Sequence, residues 1–318
     1  MTDSKLIRGM ASAFAGAVLW GFSGTCMQFL LERYEISSLF ITMGRDIGAG
    51  LLFLILFLTR YREQCSRMLA DGRTVKRLIA FGFLGLFLCQ LTYVLAIEYT
   101  NAGTATVLQS LNVIIVLVIT CIKVRRGPYR TEVVAIICAL VATVLVATKG
   151  DLGRLNISGL GLFWGLSTAA AGAFYTLYPR KLFKRWDSFT VTGFGIIGAA
   201  VAASVTWLAL GLAHTLTGGA IGSPAVVPNL DLTGIVVLAV IACVGTFLTF
   251  ALFMNGVALI GGVKGSLVGT AEPVSATVFS ALWIGTHFMW ADWLGLALIV
   301  ATVALVALQP QAPESPSS

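Results

Sequence analysis

Three ionisable side chains sit where the chain is otherwise apolar. Arg45 and Asp46 share one long hydrophobic run, and Glu272, followed by Pro273, lies in another. A charge at the centre of a bilayer costs roughly 3 kcal/mol or more unless it is paired or hydrated. These residues therefore point toward a polar interior. An arginine holds a carboxylate through its planar fork of N–H groups. A glutamate takes up a proton or binds an amine. Pro273 removes a backbone N–H and frees the carbonyl four residues earlier, at Gly269. A freed carbonyl beside a carboxylate makes a polar spot within a helix. Arg45 and Glu272 are thus candidate substrate-binding residues, Glu272 is also the candidate proton-coupling residue, and Gly269 with Pro273 forms the candidate helix break. A reading of equal weight is structural: a fixed Arg45–Asp46 or Arg45–Glu272 pair that locks two helices.

Other polar and aromatic residues fall at similar depth. Trp20, Ser23, Tyr93, Gln109, Asn112, Trp164 and Tyr175 complete the candidate substrate-binding set. A mixture of aromatic faces and a few polar groups suits a small-molecule site, and the aromatic faces would also favour an organic cation. Gln90 and Asn255 lie at comparable depth. Tyr178, Trp283, Trp290 and Trp293 read instead as anchors at the membrane–water interface. Catalytic patterns are missing: the chain has no HExxH, GxSxG or Walker A string, and its two histidines, His214 and His287, lie far apart. The six cysteines are scattered without a CxxC pair, so they read as apolar packing residues. No enzyme activity, cofactor or metal is expected.

The elements that must position these residues follow from composition. The 318 residues are 58% hydrophobic and 11% charged, with mean hydropathy +0.92. That balance belongs to membrane proteins. A crossing helix needs about 20 mostly apolar residues, and ten segments qualify: 10–31, 37–59, 78–99, 102–122, 131–149, 158–179, 189–213, 231–254, 263–284 and 290–309. The expected fold class is all-α and polytopic. The apolar runs are too long, and alternate too little, for a β-barrel. By helical rise, Arg45 and Glu272 lie roughly 12 Å and 13 Å inside their spans, near mid-membrane.

Basic residues set the expected orientation. Arg60, Arg62, Arg67, Arg73, Lys76 and Arg77, the Lys123–Arg130 and Arg180–Arg185 clusters, Lys5, Arg8 and Lys264 fall on one side. Only Arg33, Lys149 and Arg154 fall on the other. The positive-inside rule then places both termini in the cytoplasm. The same distribution accounts for an isoelectric point near 9.3 without a nucleic-acid platform. The first apolar run reads as an uncleaved span, and the Pro/Ser-rich tail 310–318 as disordered.

The chain also repeats itself. Trp20-Gly21-Phe22-Ser23 recurs as Trp164-Gly165-Leu166-Ser167. The run from Thr104-Ala105-Thr106-Val107 to Leu111-Asn112-Val113 matches that from Lys264-Gly265-Ser266-Leu267 to Ala271-Glu272-Pro273. Five spans per half is an odd number, so the second half must enter from the opposite side. Residues 1–151 and 152–309 are the expected inverted repeats, an architecture in which one half moves against the other around a central site.

With ten spans, the Trp20-Gly21-Phe22-Ser23 string, an arginine in span two and Glu272-Pro273 in span nine, the chain resembles the EamA-type permeases of the drug/metabolite transporter superfamily. The resemblance covers about 12–148 and 158–308. It implies a ten-helix bundle around a central cavity and alternating-access transport of a small metabolite across the cytoplasmic membrane. An amino acid or related amphipathic solute is the expected cargo, export the expected direction and protons an optional coupling ion. The family glutamate–proline pair maps onto Glu272-Pro273, whereas the first half carries Asn112-Val113. One alternative is uptake of an organic cation such as choline through Trp20, Tyr93 and Tyr175. A less favoured one is a membrane-embedded lipid enzyme or sensor. The expected partners are the bilayer, a small-molecule substrate and protons; nucleic acid is not among them, and no oligomeric state follows.

Overall fold

The computed structural model describes residues 3–151, 156–220, 222 and 227–307. Arg154 and the tail 310–318 lie outside them. Among the described residues there is no strand. Ten helices are long and apolar enough to cross a membrane: α1 (Lys5–Tyr34), α2 (Ser38–Thr59), α3 (Gly72–Tyr99), α4 (Ala102–Val124), α5 (Arg130–Thr148), α6 (Gly159–Phe183), α7 (Ser188–Leu216), α8 (Leu232–Ile260), α9 (Lys264–Ile284) and α10 (Trp290–Ala307). The protein is a multi-pass membrane protein. Several helices run a turn or more beyond their expected apolar cores, α1 and α3 into polar flanks that hydropathy does not register and α8 through Asn255 and Gly256 to Ile260.

Local chemistry starts many of these helices. Ser37, Asp71, Asn101, Ser158, Asp187 and Asp231 each accept a hydrogen bond from a first-turn N–H, capping α2, α3, α4, α6, α7 and α8. A capping side chain satisfies a donor that the helix leaves open. Large apolar side chains such as Leu51, Ile55 and Leu58 on α2 and Leu208 and Leu212 on α7 stay exposed. Helically spaced exposed leucines and isoleucines give the bundle its lipid-facing surface.

The packing exchanges partners between the two halves of the chain. α1 packs on α8 and α9, and α6 packs on α3 and α4; α2 pairs with α7, and α5 with α10. The repeated Trp-Gly string explains part of this. A Cβ at Gly21 would lie 2.5 Å from the Ala276 N and 2.6 Å from the Glu272 O of α9. A Cβ at Gly165 would lie 3.0 Å from Leu108 Cβ of α4. Each glycine lets its helix backbone press on a helix of the other half. Bulkier residues complete the core, with Phe53, Phe57, Phe81 and Ile196 joining α2, α3 and α7.

Four helices are irregular within their length. α4 is interrupted at Ser110–Leu111, between the segments Ala102–Gln109 and Asn112–Val124. α9 is interrupted at Thr270, between Gly262–Gly269 and Ala271–Phe279. α3 and α8 carry π-helical turns at Phe81–Phe87 and Cys243–Leu248. Such turns widen the helix and re-aim side chains, and they concentrate at functional sites.

Candidate substrate site

The π-turn of α8 receives the buried arginine. Arg45 is 5% exposed. Its Nε donates to Thr246 Oγ1 at 3.2 Å, and Nη1 lies 3.6 Å from Met27 Sδ of α1. The Thr246 hydroxyl proton is already given to the Ile241 carbonyl at 3.0 Å, so its lone pair faces the guanidinium. Asp46 Oδ1 stands 3.9 Å from Arg45 Nε, a loose ion pair without a hydrogen bond. A guanidinium carries five N–H donors, and the protein engages only part of that fork. The remainder can hold a planar anion such as a carboxylate.

Glu272 lies across the centre on α9, just past the break at Thr270. It occupies the second position of the segment Ala271–Phe279, with Pro273 third. At that first-turn position a proline costs the segment no further helical hydrogen bond. Glu272 is half-buried, and no described side chain lies in hydrogen-bond or ion-pair range of its carboxylate. It does share an electrostatic neighbourhood with Arg45, Cys89, Tyr93 and Tyr175. Arg45 and Glu272 thus face one region without closing a salt bridge across it.

The remaining candidates divide. Tyr93 is 6% exposed and bonds Thr106 Oγ1 at 2.8 Å; the Thr106 proton already goes to the Ala102 carbonyl, so the tyrosine donates. Trp20 sits edge-on to Phe250 with centroids 5.1 Å apart and packs on Phe253 at 4.8 Å. Tyr175 stacks on Phe81 at 5.7 Å. Gln109 Nε2 donates to Thr168 Oγ1 at 3.4 Å, joining α4 to α6. Asn112 opens the second segment of α4 and abuts Gly172. Ser23 is buried with an unpartnered Oγ against Gly245. Trp164 stands apart, packed with the cluster around Tyr93, Ala102 and Ala105 and edge-on to Phe163 at 4.9 Å.

Three contributors escape a reading of the sequence. Thr246 looks like any hydroxyl in an apolar run until the π-turn aims it at Arg45. The break in α4 has no proline to announce it. Gln28, a lone amide in α1, turns out to be a four-way knot. Its Oε1 accepts from Ala102 N at 3.0 Å and from Ser280 Oγ at 2.6 Å. Its Nε2 donates to Glu32 at 2.7 Å and to Thr286 Oγ1 at 3.0 Å. Every polar valence of that side chain is used. Beyond the knot lies a cavity of about 480 Å³ lined by Glu32, Glu35, Glu98 and Thr100 among others. Gln28 ties α1 to α4 and α9 at the inner wall of that vestibule.

Apolar helices enclosing a buried arginine with spare donors and a glutamate beside interrupted helices are features that suit a membrane transporter. The model of the EamA-like transporter family matches residues 7–148 and again 159–308, and the chain belongs to that family. A Salmonella typhimurium protein named as an uncharacterized inner membrane transporter, YicL, is 34% identical over 95% of this chain and 95% of its own. An uncharacterized transporter of Bacillus subtilis, YwfM, is 22% identical over 93% of this chain and 92% of its own. A solved crystal structure of a protein aligns with 97% of this chain and 99% of its own, at 18% identity and a TM-score of 0.63, which shows the shared fold.

Proposed function

We propose that the protein is a secondary carrier for a small zwitterionic metabolite such as an amino acid, exported across the cytoplasmic membrane by alternating access. The observation that carries this is the opposed pair at mid-membrane: a buried guanidinium with free donors on α2 and an unpaired carboxylate on α9. Arg45 takes the substrate carboxylate. Glu272 takes the ammonium, or a proton when the site is empty. Trp20, Tyr93 and Tyr175 supply apolar walls, and Gln109 and Asn112 the remaining polar contacts.

The two halves, 1–151 and 152–309, are read as inverted repeats with both termini cytoplasmic. The exchange of partners between α1 and α6, and the interruptions at corresponding places in α4 and α9, support that reading. The vestibule lined by Glu32, Glu35 and Glu98 then faces outward, and the Gln28 knot closes the outer end in this conformer.

Purified protein screened by thermal shift against amino acids, amines, sugars and nucleosides tests the cargo class, because a ligand of the folded state raises its apparent stability. Arg45→Ala should abolish the shift given by a carboxylate-bearing hit. Retained affinity in that variant refutes the arginine contact. In proteoliposomes under an imposed pH gradient, Glu272→Gln should lose pH-driven flux; unchanged flux rejects Glu272 as a proton carrier.

A further inference from the structure

Asp46 is left unexplained by the carrier reading. Its side chain is fully buried, and neither carboxyl oxygen has a hydrogen-bond partner. An ionised carboxylate accepts about four hydrogen bonds, so burying one whose oxygens lack them is costly even beside a counter-charge. Arg45 offers a counter-charge but no hydrogen bond. Its Nε is 3.9 Å away and already donates to Thr246.

The neighbour of Asp46 on α3 is in the same position. Gln90 is 7% exposed, its side chain comes close enough to offer the carboxyl group a hydrogen bond, and neither its amide nitrogen nor its amide oxygen has another partner. Two complementary planar groups therefore stand within reach of each other, and neither has a hydrogen-bond partner outside the pair. Gln90 Nε2 can donate to an ionised Asp46, but Oε1 and one carboxyl oxygen would stay bare. With one added proton, the acid O–H donates to Gln90 Oε1 while Nε2–H donates to the other carboxyl oxygen. A single proton thus satisfies what nothing else in the core does.

We propose that Asp46 and Gln90 form a proton-binding site, distinct from Glu272, in which the resident proton is exchanged with water as the bundle changes conformation. The surrounding charges agree. Arg45 on α2 is the charged group that faces Asp46; Glu272 on α9 and Cys89 and Tyr93 on α3 lie around that arginine, and Tyr175 on α6 lies near Cys89 and Glu272. Of the helices packed on α2, α7 carries only His214, at its C-terminal end, and α8 only Cys243, which is exposed. With Asp46 neutral, the Arg45 charge is left for a substrate carboxylate. With Asp46 ionised, the centre gains a negative charge that competes with a substrate carboxylate for Arg45. Proton binding and carboxylate binding at this centre are therefore mutually favourable, and by linkage each strengthens the other. That consequence rests on the carrier reading, whereas the proton site itself does not.

Infrared spectroscopy of the full-length protein in lipid, titrated through neutral pH in H₂O and D₂O, reads the carbonyl stretch of protonated carboxyl groups without substrate or flux. A deuterium-sensitive band of a buried acid is expected at neutral pH, and Glu272→Gln separates it from any band of Glu272 itself. It should vanish in Asp46→Asn, persist in Glu272→Gln, and move to higher frequency in Gln90→Leu, where the carbonyl loses its donor. Absence of the band at neutral pH, its survival in Asp46→Asn or its loss in Glu272→Gln overturns the proposal. Should Asp46→Asn fail to fold, an unshifted band in Gln90→Leu overturns it as well. A failed ligand screen removes the carrier reading and leaves these spectra untouched.

Discussion

Replacing Gln28 with alanine should unlock the end of the bundle that the vestibule occupies. The side chain makes three bonds to other helices or their loops, to Ala102 N, Ser280 Oγ and Thr286 Oγ1. A net hydrogen bond contributes about 0.5–1.5 kcal/mol, and more when its loss leaves a buried donor unpaired. Ser280 and Thr286 keep their bond to each other at 2.9 Å, which softens the loss, whereas the Ala102 N–H has no substitute acceptor. The closed conformer should lose about 2–3 kcal/mol, a shift of roughly 30- to 150-fold toward the open one. Cys89, half-buried beside Gln109 and Thr168, reports the change. With the other cysteines replaced by serine, a membrane-impermeant maleimide added from the vestibule side should label Cys89 faster by about that factor in Gln28→Ala. An unchanged labelling rate in a variant with the parent's chromatographic profile would refute the knot as a closure.

Three further outcomes follow from the packing. Gly21→Leu should lower thermal stability by about 1–3 kcal/mol or prevent folding, because its Cβ meets the Ala276 N and the Glu272 O, backbone atoms that cannot turn aside; fluorescence-detected thermal unfolding measures it. Lys149 and Asp292 form a 2.6 Å ion pair between the end of α5 and α10, with the aspartate 4% exposed. Lys149→Met should therefore cost about 3–5 kcal/mol, and Lys149→Met with Asp292→Leu should cost less than the single change, as comparison of their melting temperatures will show. Asp71 caps α3, and its hydrogen bond with Thr74, aided by the Arg73 N–H and the Arg185 charge, holds its carboxyl below the usual aspartate range. A depressed native pKa stabilises above the unfolded value and is lost as pH falls through the native one. Hydrogen exchange at residues 72–75 should accordingly accelerate only in acid, below the ordinary aspartate range, and Asp71→Ala should remove that dependence.

The ten crossings were legible in the sequence because lipid imposes a one-dimensional rule: a span needs an unbroken apolar length, and a charge inside it must have a reason. The same rule singled out Arg45, Asp46 and Glu272, and Pro273 follows the interruption at Thr270. Tertiary structure decided the rest. α4 breaks at Ser110–Leu111 with no proline, the π-turn of α8 aims Thr246 at an arginine 201 positions away in sequence, and Gln28 joins partners 74 and 252 positions along the chain. Hydropathy records what each residue costs in lipid. It carries no record of which distant donor meets which acceptor, because that depends on how helices from opposite halves of the chain press together.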